Sequence, residues 1–552
     1  MDKPVTAPVL IVGGGIVGLS ASLFLSHLGI RSLLVERHPG TSIHPRSRGF
    51  NARIMEIYRN LGLDEEIRAA GADLNLSKGF YRGSTLVDVI GPRKRKPGAG
   101  DARGGKPGDG LIAMISPVIG TRATQQLVEP ILLNAARAQS LADVRFYTEC
   151  VHFHQHEDGL TAELLDRESG EKSIVHAQYM LGVDGANSQV RQSLGIPMTG
   201  KGVLGHLINI LFEADLRDFV RDREFSLCQV ARPEVRGLFT SINNSNRWVF
   251  HLYYDPTKGD GVELYTKDRC TELVKLALGM PEIHVSVISI LPWQSTVRVA
   301  ETLQKGRVFL AGDAAHQMPP WRGQGATTGI ADVHNLAWKL GAVLKGEADP
   351  ALLQTYNRER LPVGRLAADM SGAAADEYGL FDMNWSAILK LIPMAGIMLG
   401  YGLRYASAAV VPDDVSQLLR IPWNIPAWFL DLNGRPGTRL PHVWVHRHGQ
   451  RISTLDVCDK DFVILAAEGG GDTWRKAAEK TADSLNITLS VYTIGPSGDL
   501  VDVDYRWLYL AGLSATGALL IRPDGFVAWR AYALTEPLTT HLSQVMRRVL
   551  CR

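Results

Sequence analysis

Cysteine is scarce and scattered. Five thiols (Cys150, Cys228, Cys270, Cys458 and Cys551) are spread over 552 residues. There is no CxxC and no zinc-ligand spacing, which excludes a disulfide-stapled scaffold and suits a reducing compartment. An excess of one charge is also missing. The net charge is +2, so nothing electrostatic points to nucleic acid or an anionic membrane. No clean apolar run reaches the roughly 20 residues needed to span a bilayer. The nearest, residues 388–403, is broken by Lys390, Pro393 and three glycines and reads as a buried or partner-facing helix. The first strand begins within about eight residues of Met1, so no signal peptide and a cytoplasmic location are expected. No His, Cys, Asp or Glu cluster has ligand spacing, and no metal is expected.

What the chain does have is a soluble globular composition, with 45% hydrophobic and 21% charged residues, and length for about two or three domains. Four apolar residues, Val9, Leu10, Ile11 and Val12, read as a strand buried on both faces. Gly13-x-Gly15-x-x-Gly18 follows and opens an apolar helix over 19–28. Such a turn brings a pyrophosphate against the backbone at a helix N-terminus. A second strand ends at Glu36, 18 residues after Gly18, where a carboxylate can accept both hydroxyls of an adenosine ribose. The unit predicts FAD or NAD. Arg46, Arg48 and Arg53 follow, placed either to meet a nucleotide phosphate or to form a solvated basic turn.

Residues 91–110 are mostly Gly, Pro, Lys, Arg and Asp and predict a mobile surface loop. A helix opens at Gln125. A further apolar strand ends at Asp184-Gly185, either a ligand turn or a simple cap. From 195 to 297 the pattern alternates and predicts an inserted antiparallel sheet. Its Phe225, Phe239 and Tyr253 could face an apolar ligand, although alternation makes half of its aromatics core. The first pattern resumes at 306–316 with Gly312-Asp313-Ala314-Ala315-His316. Pro319-Pro320 and Gly323-Gln324-Gly325-Ala326-Thr327 then open another helix. Its free N–H groups could stabilise negative charge on a reduced flavin ring. Two such turns far apart in the chain select FAD over NAD, one for the adenosine end and one for the ribitol and ring. The fold class is α/β, a Rossmann-like FAD-binding domain with an inserted sheet.

The Gly13–Glu36 unit, Asp184-Gly185 and Gly312–His316 together resemble the three signatures of single-component FAD aromatic hydroxylases. The resemblance is closest to the branch with polyketide-tailoring and 3-hydroxyphenylpropionate-type hydroxylases, and it runs over essentially the whole chain. It implies cofactor contacts from Gly13, Gly15, Gly18, Glu36, Arg37, Arg46, Gln125, Asp184, Asp313, Pro320, Gly323, Gly325, Ala326 and Thr327, with Pro320 beside the reactive edge of the flavin. Arg322 and Thr327 depart from the family's usual Gly and Asn. Candidate catalytic residues are His251, Tyr253, Pro320 and Arg322. Candidate substrate contacts are Phe225, Gln229, Phe239, His251 and Tyr253.

By that resemblance, NAD(P)H reduces the flavin, O2 adds at its C4a carbon, and the hydroperoxyflavin hydroxylates a phenolic or polycyclic, polyketide-like ring. Baeyer–Villiger-type insertion or oxidative rearrangement on the same scaffold is the alternative, and a flavin-holding protein without turnover is a third. The expected division is a first FAD-binding part over 1–194, a substrate sheet over 195–297, a second FAD-binding part over 298–420, and a thioredoxin-like domain without CxxC over 421–552. That last domain serves as scaffold or homodimer contact. The expected partner is a small aromatic molecule.

Overall fold

The computed structural model describes residues 5–76, 79–90, 109–382, 400–413 and 432–552. Residues 91–108 of the expected loop, 388–399 of the apolar patch, the proline-rich 421–426 and the Arg322 side chain lie outside the described residues.

Val9, Leu10 and Ile11 are fully buried because their strand, Val5–Val12, runs through the middle of a largely parallel sheet. The spatial order is Gln304–Lys305, Val308–Leu310, Lys172–Gly182, Val5–Val12, Ser32–Glu36 and Ala142–Phe146. Ser32–Glu36 and Lys172–Gly182 flank Val5–Val12 in parallel register. Their carboxyl ends therefore bring Glu36, the Gly13 turn and Asp184 out on one edge, where ligands bind such sheets. Helices Ile16–His27, Gln125–Arg137 and Gln324–Leu344 share one core with the sheet. No helix among the described residues is long and apolar enough to cross a membrane.

The alternating segment forms the second sheet. Its order is His316–Gln317, Ser286–Ala300, Met198–Glu213, Arg247–Tyr254, Arg236–Ser241, Leu227–Ala231 and Phe80–Gly83. The two outer strands come from beyond the expected insertion. Phe80–Gly83 is four residues long, too short to show a period in the sequence. The sheet's faces differ. Phe212, Phe225, Phe239, Trp248 and Phe250 pack with helix Lys267–Leu278 into a closed core. The register pairs Phe239 with Phe250 and Leu238 with His251, so Phe239 and His251 point to opposite faces. Phe225 and Phe239, expected to line a ligand, are 0% and 1% exposed in that core. Alternation groups residues by face; it does not say which face a helix covers.

The third sheet runs Gln450–Ser453, Trp444–Arg447, Leu500–Val501, Leu489–Gly495, Phe462–Ala467, Ala518–Ile521 and Val527–Ala531. A parallel central pair joined by helix Gly471–Leu485, followed by an antiparallel hairpin, gives the expected thioredoxin-like layout. Cys458 is buried, and burial pushes its thiol well up, which rules against thiolate chemistry. This domain shares a core with Trp338 and Ala342 of helix Gln324–Leu344. A buried charge network reinforces the contact. Arg522 donates to both oxygens of Glu359 (2.7 and 2.9 Å), and Lys339 and Asn335 donate to Glu359 Oε2 at 2.8 and 2.7 Å. Burial pushes the Glu359 carboxyl up, but Arg522 and Lys339 outweigh it and hold it below the usual carboxylate range.

Candidate active site

The glycine turn has no room for side chains where it bends. Gly13 has φ +117°, and a Cβ there would overlap the Val183 carbonyl. A Cβ on Gly18 would overlap the Gly13 carbonyl oxygen, so only glycine lets this helix sit so close to its strand. Gly15 differs: the nearest atom to an added Cβ is Glu129 Oε1 at 3.5 Å. Open space therefore fronts the N-terminus of Ile16–His27, where free N–H groups favour an anion. Glu36 braces the turn from the side. Its Oε2 accepts from Gly14 N–H (2.6 Å) and its Oε1 from His38 N–H (2.9 Å).

Glu129 was not anticipated, because an acid inside an amphipathic helix has no distinctive sequence signal. It accepts from Ile16 N–H at 3.0 Å, Ser42 N–H at 2.7 Å and Gln125 Nε2–H at 2.6 Å. Burial pushes its carboxyl up. One side chain thus ties the helix start, the loop leading to Arg46, and Gln125 together. Arg37 and Arg46 are themselves exposed.

The second turn meets the first. A Cβ on Gly312 would lie 3.1 Å from Val17 Cγ2, next to the N-terminal glycines, and one on Gly329 would lie 2.9 Å from Gly312 Cα. Asp313 lies deep in the molecule, yet its side chain is accessible, which places it on an internal cleft. Burial pushes its carboxyl up, partly offset by His316 and Arg46. The turn is locked from behind by Asp332, which accepts from His316 Nε2–H (2.7 Å), Arg360 Nε–H (2.7 Å) and Gly312 N–H (3.3 Å). Gly323, at φ +63°, then starts helix Gln324–Leu344. A Cβ on Gly325 would stand 3.9 Å from Asp313 Oδ1, and Ala326 follows on the same half-buried first turn.

Two expected contacts look different in place. The Thr327 hydroxyl lies 3.2 Å from the carbonyl of Gly323 and 3.0 Å from that of Gln324. Its proton is spent within its own helix turn rather than presented to the cleft. Asp184 caps the short helix Gln189–Ser193, accepting from Ser188 Oγ–H (2.5 Å) and Val190 N–H (3.1 Å). The remaining residues fit FAD. There is open space in front of Gly15, a carboxylate at the end of the second strand, and an accessible acid beside a second helix N-terminus.

The face of the second sheet turned away from helix Lys267–Leu278 carries the other candidates. The turn Pro320–Arg322 carries Trp321, whose ring centroid is 5.9 Å from His251 and 6.1 Å from Trp293. Leu207, Leu238 and Leu380 form an apolar floor with Leu227, Tyr253, Trp293, Trp321 and Phe381. Asn209 Oδ1 faces both Trp293 Nε1 and His251 Nδ1, the latter at 2.6 Å. An indole N–H can only donate, so the Asn209 atom it meets is the carbonyl oxygen. His251 Nδ1 must then also donate, and Nε2 is left as an acceptor. Burial, with Arg48 adding to it, lowers the His251 pKa to about 3, so the ring stays neutral.

The other candidates have supporting roles. Tyr253 stacks edge-on against Tyr378 at 5.0 Å, and burial pushes its hydroxyl up, which makes it a poor base. Gln229 donates to Asp376 Oδ2 (3.1 Å), while Asp376 Oδ1 accepts from Tyr378 N–H and Leu380 N–H. Trp321 Nε1–H donates to the Gly379 carbonyl at 3.0 Å. Gln229 and Trp321 thus hold the 376–381 segment against this face of the sheet.

Comparison with known proteins agrees with this geometry. Residues 6–371 match the FAD binding domain family, and residues 433–552 match the family described as aromatic-ring hydroxylase, C-terminal. The tetracenomycin A2 monooxygenase-dioxygenase of Streptomyces glaucescens is 38% identical over 99% of this chain and 97% of its own. A flavin-dependent monooxygenase solved with FAD and substrate superposes with a TM-score of 0.85 at 32% identity over the whole of both chains. Aklavinone-11 hydroxylase, solved with FAD and aklavinone, gives 0.82 at 34%, again over the whole of both chains.

Proposed function

The chain belongs to the FAD-dependent aromatic-ring hydroxylases, monooxygenases that use NAD(P)H and O2, and on that premise we propose that it hydroxylates a polycyclic phenol of the aromatic-polyketide type. The observation that carries this reading is the neutral His251 acceptor, set among Trp293, Trp321 and apolar residues, with Trp321 in the turn that leads directly into Gly323. The tetracenomycin A2 monooxygenase-dioxygenase and the aklavinone-11 hydroxylase among its relatives support a substrate of this type.

Gly13, Gly15, Gly18 and Glu36 hold the adenosine end of the cofactor, with Arg37 at its rim. Arg46, Gln125, Asp313, Pro320 and the first turn from Gly323 to Ala326 hold the ribitol and ring. Bound FAD supplies electron transfer from NAD(P)H and the activation of O2. The chain's own work is positional. Trp293 and Trp321 fix the plane of the substrate, and the leucine floor excludes water from the reacting edge. His251 Nε2 accepts the hydrogen bond of the phenol. This draws the O–H proton away from the ring and raises the electron density of the carbon to be oxidised. With so low a pKa the imidazole orients and polarises rather than removing the proton outright.

The test is direct. The purified chain is expected to be yellow, with an oxidised-flavin spectrum. Fused-ring phenols should stimulate its NAD(P)H oxidation and yield a product with one added oxygen. Equal stimulation by single-ring and fused-ring phenols would overturn the substrate class, and no stimulation by any phenol would overturn the reaction.

A further inference from the structure

Two neighbouring arginines, Arg48 and Arg122, have no carboxylate partner among the described residues. The antiparallel bridge between Phe50 and Thr121 sets the loop carrying Arg48 beside the loop carrying Arg122. A Cβ on the intervening Gly49 would lie 3.7 Å from Arg122 Cα. Arg48 reaches across to the substrate sheet, where Nη1–H donates to the Ser226 carbonyl (3.0 Å) and Nη2–H to that of Ser241. Its Nε–H is buried and unbonded. Arg122 makes no side-chain hydrogen bond among the described residues, and its buried Nη1 is likewise unpaired. Neither forms an ion pair among the described residues.

The polar atoms around them are unpaired too. Ser47 Oγ, Thr121 Oγ1, Thr124 Oγ1, Gln126 Oε1 and Thr240 Oγ1 are all buried without a partner. Ser47, Thr121 and Thr124 sit on the same two loops, and Gln126 is in the first turn of the helix that follows. Thr240, opposite Val249 in the register, lies on the His251 face of the sheet. Folded proteins leave few such groups unsatisfied, so a concentration of them marks a place where something polar binds. Desolvation, with Arg122 adding to it, lowers the Arg48 pKa to about 9. Arg48 in turn contributes to keeping His251 neutral, so the two groups share one electrostatic environment.

We infer that Arg48 and Arg122 form an anion subsite for the substrate, which binds an ionised acidic group, a carboxylate or an acidic enol, while the reacting hydroxyl meets His251. This rests on the hydroxylase reading and narrows its substrate to an acidic polycycle. A partly buried cation pair without a counter-charge is costly, and an anionic ligand removes that cost only when it is bound. Selectivity then arises because neutral analogues leave both guanidinium groups unpaired.

The experiment uses the FAD-loaded enzyme and follows the flavin spectrum during titration with 3-hydroxy-2-naphthoate and with 2-naphthol. The wild type is expected to bind the naphthoate at least about tenfold more tightly, and Arg122→Gln should bring that ratio close to one. Arg48→Gln should act the same way, but it also loses two bonds to the sheet, so Arg122→Gln is the deciding variant. A wild-type ratio near one, a ratio preserved in Arg122→Gln, or no binding of either probe overturns the subsite. If the ratio is preserved while the flavin midpoint potential falls in Arg122→Gln, the anion served is the reduced flavin, and the substrate assignment fails. Stimulation of NAD(P)H oxidation by 2-naphthol tests the hydroxylase reading separately, so the two can fail independently.

Discussion

Glu359 and Arg522 lie in different domains and form a two-pronged ion pair, at 2.7 and 2.9 Å, with both side chains fully buried. Lys339 and Asn335, which bond the same carboxylate, stand on the helix whose N-terminus faces the cleft. The C-terminal domain is therefore part of the support for the cofactor site. Arg522→Met leaves Glu359 buried with one cation fewer. That should cost about 3–5 kcal/mol, because breaking one side of a buried pair strands the other. Thermal unfolding of the FAD-loaded enzyme checks this. The half-exposed pair Arg145–Asp143 serves as the control, with Arg145→Ala expected to cost under about 1 kcal/mol.

The glycines of the first turn separate folding from binding. Gly18→Ala forces a methyl into the Gly13 carbonyl and should yield little folded protein. Gly15→Ala meets nothing closer than 3.5 Å, so the chain should fold while the methyl fills the space for phosphate. Circular dichroism and FAD titration of both variants check the contrast, with about a tenfold or greater loss of FAD affinity expected for Gly15→Ala.

The Trp293–Asn209–His251 chain predicts a specific failure. Trp293→Phe removes the donor that orients the Asn209 amide, so the amide can turn and the tautomer of His251 is no longer enforced. Substrate affinity and product formation should fall about tenfold while FAD stays bound. Asn209→Leu should match it. Titration with a phenol, followed in the flavin spectrum, reads both.

Much of this was legible in the sequence, and the rest was not, for physical reasons. The glycine turns could be read because a helix packed this close to its strand demands glycine at Gly13 and Gly18. The insertion was visible as a change of period. What a sequence does not carry is which side of a sheet a distant helix covers, and so alternation alone cannot tell that Phe225 and Phe239 belong to a closed core. Trp321 follows directly on Pro320, and Asn209 is the one polar residue in the run Leu207–Phe212. Both signals were present, but their meaning depends on contacts across the fold. The Arg522-Pro523-Asp524-Gly525 turn reads as a plain hairpin, and only its neighbours reveal that it carries buried charge.

Acid should weaken the fold early. Burial lowers the pKa of His251, His334 and His442 to about 3 in each case, whereas an unfolded histidine titrates near 6.5. The unfolded chain therefore takes up protons that the folded chain refuses. The contribution is intact above pH ~6.5 and is lost progressively as pH falls toward ~3. Melting temperature measured from pH 7 to 5, where few carboxylates titrate, should decline steadily. A flat profile would show that these rings can protonate in place.

On the proposed function, one FAD gripped by two distant turns faces a phenol held against His251. Turnover under isotopically labelled dioxygen, with the product analysed by mass spectrometry, tests it most directly. The expected result is one labelled oxygen atom in the aromatic product for each NAD(P)H consumed, falling sharply in His251→Ala. NAD(P)H consumption that releases only hydrogen peroxide, or a product without label, would contradict it.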